Sequence, residues 1–323
     1  DIHVHGGNGS FLYEEPEKTG AYFLSHGETT ILAALYYNLS PAEWAAAIKR
    51  VKKAINAPDG PGNLAGFYME GPYMNTNYGA AREDNLWQGK IRKEDYQEIL
   101  SLAGNLARIW VIAPEREGIK AFVRDIKSVN PGAVLSTGHS EATPEQIFSM
   151  KKYGMRLVTH CMNATGRQGE SGGVRRCGPD EACILDDEMY AEVICDSGGI
   201  HVQPELLRLL VKVKGVKRLI LITDSFVGKN APGAMRQAED LMFDARGRLC
   251  GSRLTMEAAC RNMMRHTSCG IVDIFRMASL NPAAVLGMDQ EIGSIVVGKR
   301  ADLVIVEKDL TIRHVLKNGI QII

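Results

Sequence analysis

Leu219-Ile220-Leu221-Ile222-Thr223-Asp224 is a run of four branched apolar residues that ends on a carboxylate. A strand with one wet face alternates apolar and polar side chains. A run without alternation is that of a strand buried on both faces, as in a parallel sheet covered by helices. Residues 2–5, 30–33, 65–70, 107–111, 134–138, 157–160, 191–196 and 219–223 read as eight short strands, several of this continuous kind. Helical patterns lie between them. Ser40-Pro41-Ala42-Glu43 has the form of a capping box with Pro at the first helical position, and Trp44, Ile48, Val51 and Ile55 follow on one face. Thr143-Pro144-Glu145-Gln146 repeats the device, and Pro204 opens a helix carrying Leu206, Leu207, Leu210 and Val213. Eight strands interleaved with helices predict an α/β fold, a (β/α)8 TIM barrel. The Gly- and Arg-rich stretch 164–187 reads as a long loop rather than a helix.

The tail has another character. Residues 292–323 hold apolar runs with no helix between them, and Asn318-Gly319 separates two of these runs, a hairpin signal. A barrel domain over 1–290 and a small β-sheet segment over 291–323 are expected. Asp1 is not an initiator Met, and a barrel strand at the very start of a chain is unusual. Upstream residues are therefore expected in the full protein, supplying the remaining strands of a small β-sandwich.

Among 323 residues, 45% are apolar and 24% charged, as in ordinary globular protein. Lys+Arg and Asp+Glu both number 38, so no net field attracts nucleic acid or an anionic membrane. No apolar run approaches the ~20 residues that span a bilayer. Seven cysteines without a Cys-x-x-Cys pair fit a reducing cytoplasmic compartment.

Catalytic residues of such barrels sit at the C-terminal ends of the strands. Those ends carry His3 and His5, Glu70, His139, His160, His201 and Asp224. His3 and His5 share a strand face because side chains alternate. Five of the eight histidines fall at strand ends, whereas His26, His266 and His314 read as packing or surface residues. Imidazole and carboxylate suit Zn and similar divalent ions. Glu70, His139 and His160 are candidates to hold one ion, and His3 with His5 a second, with a carboxylate between the two. Asp224 is then the candidate general base and acid of a hydrolysis.

The motifs Asp1-Ile-His-Val-His-Gly-Gly7, Met69-Glu-Gly-Pro-Tyr-Met-Asn75, Gly138-His-Ser-Glu-Ala-Thr143, Thr159-His-Cys-Met-Asn-Ala164, Gly199-Ile-His-Val202, Leu221-Ile-Thr-Asp224 and Gly251-Ser-Arg-Leu-Thr-Met256 occur in order. Asn281-Pro-Ala283 and Gly298-Lys-Arg-Ala-Asp-Leu303 complete the set. In these the chain resembles the N-acetylglucosamine-6-phosphate deacetylases of the amidohydrolase superfamily over nearly its whole length. The resemblance implies that Glu70, His139 and His160 are the main metal ligands and that His3 and His5 are a second-metal pair. It makes Asp224 the acid/base and His201 a substrate contact. Asn163 and Ala164 match the segment that holds the sugar phosphate. Arg167 matches an arginine that reaches the phosphate of a neighbouring subunit's substrate, with Arg175 and Arg176 as rivals; this implies a homodimer. Leu254 would lie against the acetyl methyl. One or two divalent ions are implied, Zn first, with Fe, Mn or Co as alternatives. The implied partner is a small amino-sugar phosphate, hydrolysed to acetate and the free amine.

Some segments depart from the family pattern. Ile194–Gln203 is longer than the usual approach to this histidine and ends on Gln rather than His. Residues 77–83 lack the carbonyl-polarising His of some members, a role a second metal on His3 and His5 could take. Residues 172–186 match poorly. These departures leave open a relative acting on N-acetylgalactosamine 6-phosphate or another amide, or a barrel that binds a sugar phosphate without turning it over.

Overall fold

Parallel strands follow one another in chain order through a computed structural model of the protein: Ile31–Tyr36, Leu64–Glu70, Ala107–Ile112, Val134–Thr137, Met155–Val158, Tyr190–Ile194 and Leu219–Ile222. Among the described residues they form one seven-stranded sheet in that order. The structure describes residues 1–80, 82–170, 172–230 and 239–323. Helices alternate with the strands, which gives the α/β-barrel winding expected from the sequence. Two compact units divide the chain: Asp1–Ala33, Arg50–Gly66 and Val193–Ile323 make one, and Ala34–Lys49 with Phe67–Glu192 the other. No helix among the described residues is long and apolar enough to cross a membrane.

In the Phe67–Glu192 unit the strands pair with Glu70 opposite Val111, Val111 opposite Ser136, Ser136 opposite Leu157 and Leu157 opposite Tyr190. The helix Ile119–Val129 buries Ile119, Phe122, Val123 and Ile126, a spacing that keeps them on one face. Phe122 meets Tyr73, Tyr96 and Trp110 edge-on at 5.2, 4.7 and 5.5 Å between ring centres. Each such ring taken out of water contributes roughly 1.5–3 kcal/mol. The cluster thus braces the segment that follows Glu70. The capping boxes expected at Ser40 and Thr143 are both present. The stretch 164–187 departs from its expected loop character, because a helix spans Pro179–Leu185. Pro179 at its first turn, followed by Asp180 and Glu181, supplies its start signals, which the glycine-rich context obscures.

In the other unit, the strand expected over 2–5 is reduced to a single parallel bridge from Val4 to Ala33. Its other edge is still paired. The N–H of Asp224 donates to the carbonyl of His3 at 3.0 Å, and that of His5 to Ser225 at 2.9 Å. The run is short because Gly6–Gly7 turns away at once to pair with Ser10–Phe11. A second unforeseen hairpin joins Leu241–Phe243 to Leu249–Ser252. The tail forms an antiparallel sheet of Leu303–Val306, Ile312–Lys317 and Ile320–Gln321. Asn318 and Gly319 turn it with φ of 52° and 79°, the left-handed pair such a two-residue turn requires.

Candidate metal centres

Glu70 is the last residue of its strand, and His139 and His160 each follow a strand by two residues. His139 Nε2 lies 2.7 Å from Glu70 Oε1, and His160 Nε2 lies 3.3 Å from the same oxygen. The two imidazole Nε2 atoms are 3.1 Å apart, and all three side chains are buried. The three donor atoms lie within 4.8 Å of one another. Two imidazoles and a carboxylate aimed at one point are the donor set of a divalent-metal site with room for a further ligand.

The backbone explains the aim. His139 and His160 have φ of 44° and 30°, left-handed values that a non-glycine residue holds at a cost of order 1–3 kcal/mol. Each lies two residues past its strand, where the chain leaves the extended conformation. Local contacts fix the rings. His160 Nδ1 sits 3.1 Å from the Asn163 carbonyl, so Nδ1 carries the proton and Nε2 is the ligand atom. Tyr37 packs edge-on against His139 at 5.4 Å, and the Asn75 N–H donates to the His139 carbonyl at 2.9 Å. Gly79, at φ of 100°, lies so near that a Cβ there would come within 2.8 Å of His139 Nδ1. Glu115, after the Ala107–Ile112 strand, ties the loops together. Its carboxylate accepts from Asn75 Nδ2 at 2.9 Å, Ser140 Oγ at 2.7 Å and the Glu141 N–H at 2.8 Å.

A second cluster lies within the Val193–Ile323 unit. His3 and His5 face each other with Nε2 atoms 3.3 Å apart. Asp224 Oδ1 lies 3.6 Å from His3 Nε2 and 3.3 Å from His5 Nε2. The candidate acid/base is thus also the carboxylate of this potential metal group. Asp224 has a left-handed φ of 47°. Asp1 steadies the segment, accepting from the His3 N–H at 3.0 Å and from the Thr223 hydroxyl.

His201 is buried, and its Nδ1 and backbone N–H meet Asp196 at 3.1 and 2.8 Å. Burial pushes the Asp196 carboxyl up, but hydrogen bonds from His201 and from the Ile200 and His201 backbone outweigh it and hold it at about 2. Leu254 is buried, with its N–H on Ser252 Oγ at 2.9 Å. Asn163 and Ala164 occupy the turn after His160, with Ala164 at φ of 52°. Arg167 donates from Nε and Nη2 to Glu181 Oε1 at 3.0 and 2.6 Å, and Arg175 reaches the same oxygen at 3.5 Å. Tyr78 donates to Glu141 at 2.9 Å, and burial first and then Glu141 push its hydroxyl up to about 12. The sequence reading missed Asp196, Glu115 and Glu192. A carboxylate inside the apolar run Tyr190–Ile194 was the available signal for Glu192.

A family model described as the amidohydrolase family matches residues 1–322. The chain is 30% identical to the N-acetylglucosamine-6-phosphate deacetylase of Bacillus subtilis, over 96% of this chain and 79% of that one. It is 29% identical to the N-acetylgalactosamine-6-phosphate deacetylase of Escherichia coli O157:H7, over 99% and 85%. Among solved structures, N-acetyl-D-glucosamine-6-phosphate deacetylase of Mycobacterium smegmatis superposes with a TM-score of 0.85 at 27% identity, covering 100% of this chain and 86% of that one. A mutant of that enzyme, solved in complex with N-acetyl-D-glucosamine-6-phosphate, superposes with a TM-score of 0.84 at 26% identity, covering 99% and 84%.

Proposed function

We propose that this chain, which belongs to the amidohydrolase family, removes the acetyl group of N-acetylglucosamine 6-phosphate, giving glucosamine 6-phosphate and acetate. The observation that carries the reading is the convergence of Glu70, His139 and His160 within 4.8 Å. Family membership implies a divalent ion, and this donor set fits one. Zn is our first assignment, with Fe, Mn or Co accepted by the same ligands. His3 and His5 with Asp224 are assigned to a second ion.

An ion so held supplies Lewis-acid activation of water and of the amide carbonyl. The chain's own residues do the rest. Asp224 accepts the proton of the attacking water and delivers it to the departing amine as the C–N bond breaks. His201 meets a sugar oxygen through Nε2, its Nδ1 proton being committed to Asp196. Asn163, Ala164 and Arg167 hold the phosphate, the guanidinium suiting it through two parallel hydrogen bonds. Arg167 would exchange its Glu181 contact for the phosphate of a partner's substrate in a homodimer. Leu254 lies against the acetyl methyl. A cytoplasmic enzyme, with a barrel domain over 1–290 and a small sheet segment over 291–323, completes the reading.

A second reading, deacetylation of N-acetylgalactosamine 6-phosphate, is favoured by the alignment of 99% of the chain with an enzyme of that name. Acetate release from both sugar phosphates and from unphosphorylated N-acetylglucosamine, by protein loaded with Zn, Mn or Co, tests the assignment. Faster turnover of the galacto sugar would replace the substrate, and no release from any N-acetyl sugar would overturn the deacetylase reading.

A further inference from the structure

Tyr68 and Glu70 are two residues apart on one strand and so face the same way. Glu70 is a metal-ligand candidate; Tyr68 lies one layer below it and is fully buried. Its hydroxyl donates to Glu192 Oε2 at 2.9 Å and lies 2.7 Å from Thr159 Oγ1, which is 2.6 Å from Ser136 Oγ. Glu192 is itself completely buried, within the run Tyr190–Ile194. Its Oε2 also accepts the backbone N–H of His160 at 3.3 Å, and its carbonyl accepts the N–H of Cys161 at 2.7 Å. Three strands thus contribute to a hydrogen-bonded layer that ends on the backbone of one metal-ligand residue. That residue is His160, whose left-handed backbone must be held by its surroundings.

We propose that Glu192 and Tyr68 are positioning residues, which fix the His160 backbone from below and so set the affinity and geometry of the Glu70–His139–His160 metal site. The proposal rests on the metal reading above. Taking a carboxylate out of water is unfavourable unless its oxygens are satisfied, and here one oxygen is used by a ligand's own N–H and a tyrosine hydroxyl. Partners one shell removed from a metal commonly alter its affinity by about 10–100-fold.

The test uses the full chain and Zn(II) and Co(II) alone. Competition with a chromophoric chelator gives the affinity, the visible bands of the Co(II) form report the ligand geometry, and thermal melts of metal-free protein report folding. Glu192→Gln is expected to weaken Zn(II) by about 10-fold and Glu192→Leu by about 100-fold, each with a shifted Co(II) spectrum. Tyr68→Phe, which deletes a single hydroxyl, is expected to lie between the parent and Glu192→Gln, and carries the test if the Glu192 variants do not fold. Folded variants with parental affinity and an unshifted spectrum overturn the proposal, as does a loss of melting temperature without either change. A parent chain that binds neither ion overturns the metal reading, and this proposal with it; a parent that binds while the variants are indifferent overturns the positioning role alone.

Discussion

The Asp196 carboxylate accepts two hydrogen bonds from His201, one from ring Nδ1 at 3.1 Å and one from the backbone N–H at 2.8 Å. An ionised carboxylate only accepts, so the bond fixes the proton on Nδ1 and orients the ring. The same carboxylate takes the N–H groups of Gly198 and Ile200, which shape the lengthened approach to His201.

Asp196→Asn should therefore cost stability in a pH-dependent way. The folded carboxyl sits at about 2 against an ordinary 3.8. A lowered acid stabilises the fold above its unfolded value and loses that contribution as pH falls towards its folded value. The difference in stability between parent and variant should be about 2 kcal/mol at neutral pH and shrink between about pH 4 and pH 2. Thermal melts across that range check it; a difference that grows on acidification contradicts it.

Gly79→Ala should disturb the first cluster from outside. The added methyl would run into the Tyr37 hydroxyl, its nearest neighbour, and come within 2.8 Å of His139 Nδ1, on a backbone of φ 100°. A destabilisation of about 1–3 kcal/mol is expected, with less metal retained at Glu70, His139 and His160. Denaturant melts and metal analysis per chain read both effects.

Asp224→Asn should lower kcat by about 10²–10⁴-fold, the usual worth of a positioned acid/base. The protein should stay folded, and Glu70, His139 and His160 should keep their ion. Single-turnover acetate release, paired with elemental analysis, separates lost proton transfer from lost metal.

His160→Ala and His3→Ala should each remove one ion per chain, and not the same one. If the two clusters hold separate ions, the double variant should bind none. Elemental analysis after dialysis decides it; equal metal content in the parent and either single variant contradicts the assignment.

Arg167→Ala should raise KM for a phosphorylated sugar by about 10–100-fold, the range of a charged hydrogen bond, and leave the unphosphorylated sugar unaffected. Arg175→Ala and Arg176→Ala serve as rivals in the same assay. An equal effect on both sugars would remove Arg167 from phosphate recognition.

Much of the fold was legible because buried parallel strands are written as unbroken apolar runs, as at Leu219–Ile222. Their ends were less so. Residues 134–138, 157–160 and 219–223 read as strands, but the ladders stop at Thr137, Val158 and Ile222. The left-handed turns at His139, His160 and Asp224 break them, and neither His nor Asp announces that conformation as glycine does. The metal-ligand candidates could be found by residue type at strand ends. Asp196, Glu115 and Glu192 were harder to find: Asp196 is held mostly by backbone N–H groups, which any sequence supplies, and Glu115 and Glu192 lean on side chains distant in the chain, Asn75 and Tyr68. The helix Pro179–Leu185 was hidden by its glycine-rich approach, although Pro179 and Glu181 carried its start signal.

The left-handed backbone of His139, His160 and Asp224 also has a meaning across lineages. Glycine holds that conformation at little cost, aspartate and asparagine at some, and an imidazole side chain at more. Glycine at 139 or 160 would therefore relieve backbone strain while giving up a metal-ligand candidate. In newly sequenced relatives, glycine is thus the replacement to expect at 139 or 160 where the ligand is not required, whereas aspartate and asparagine at 224 suit the backbone alike.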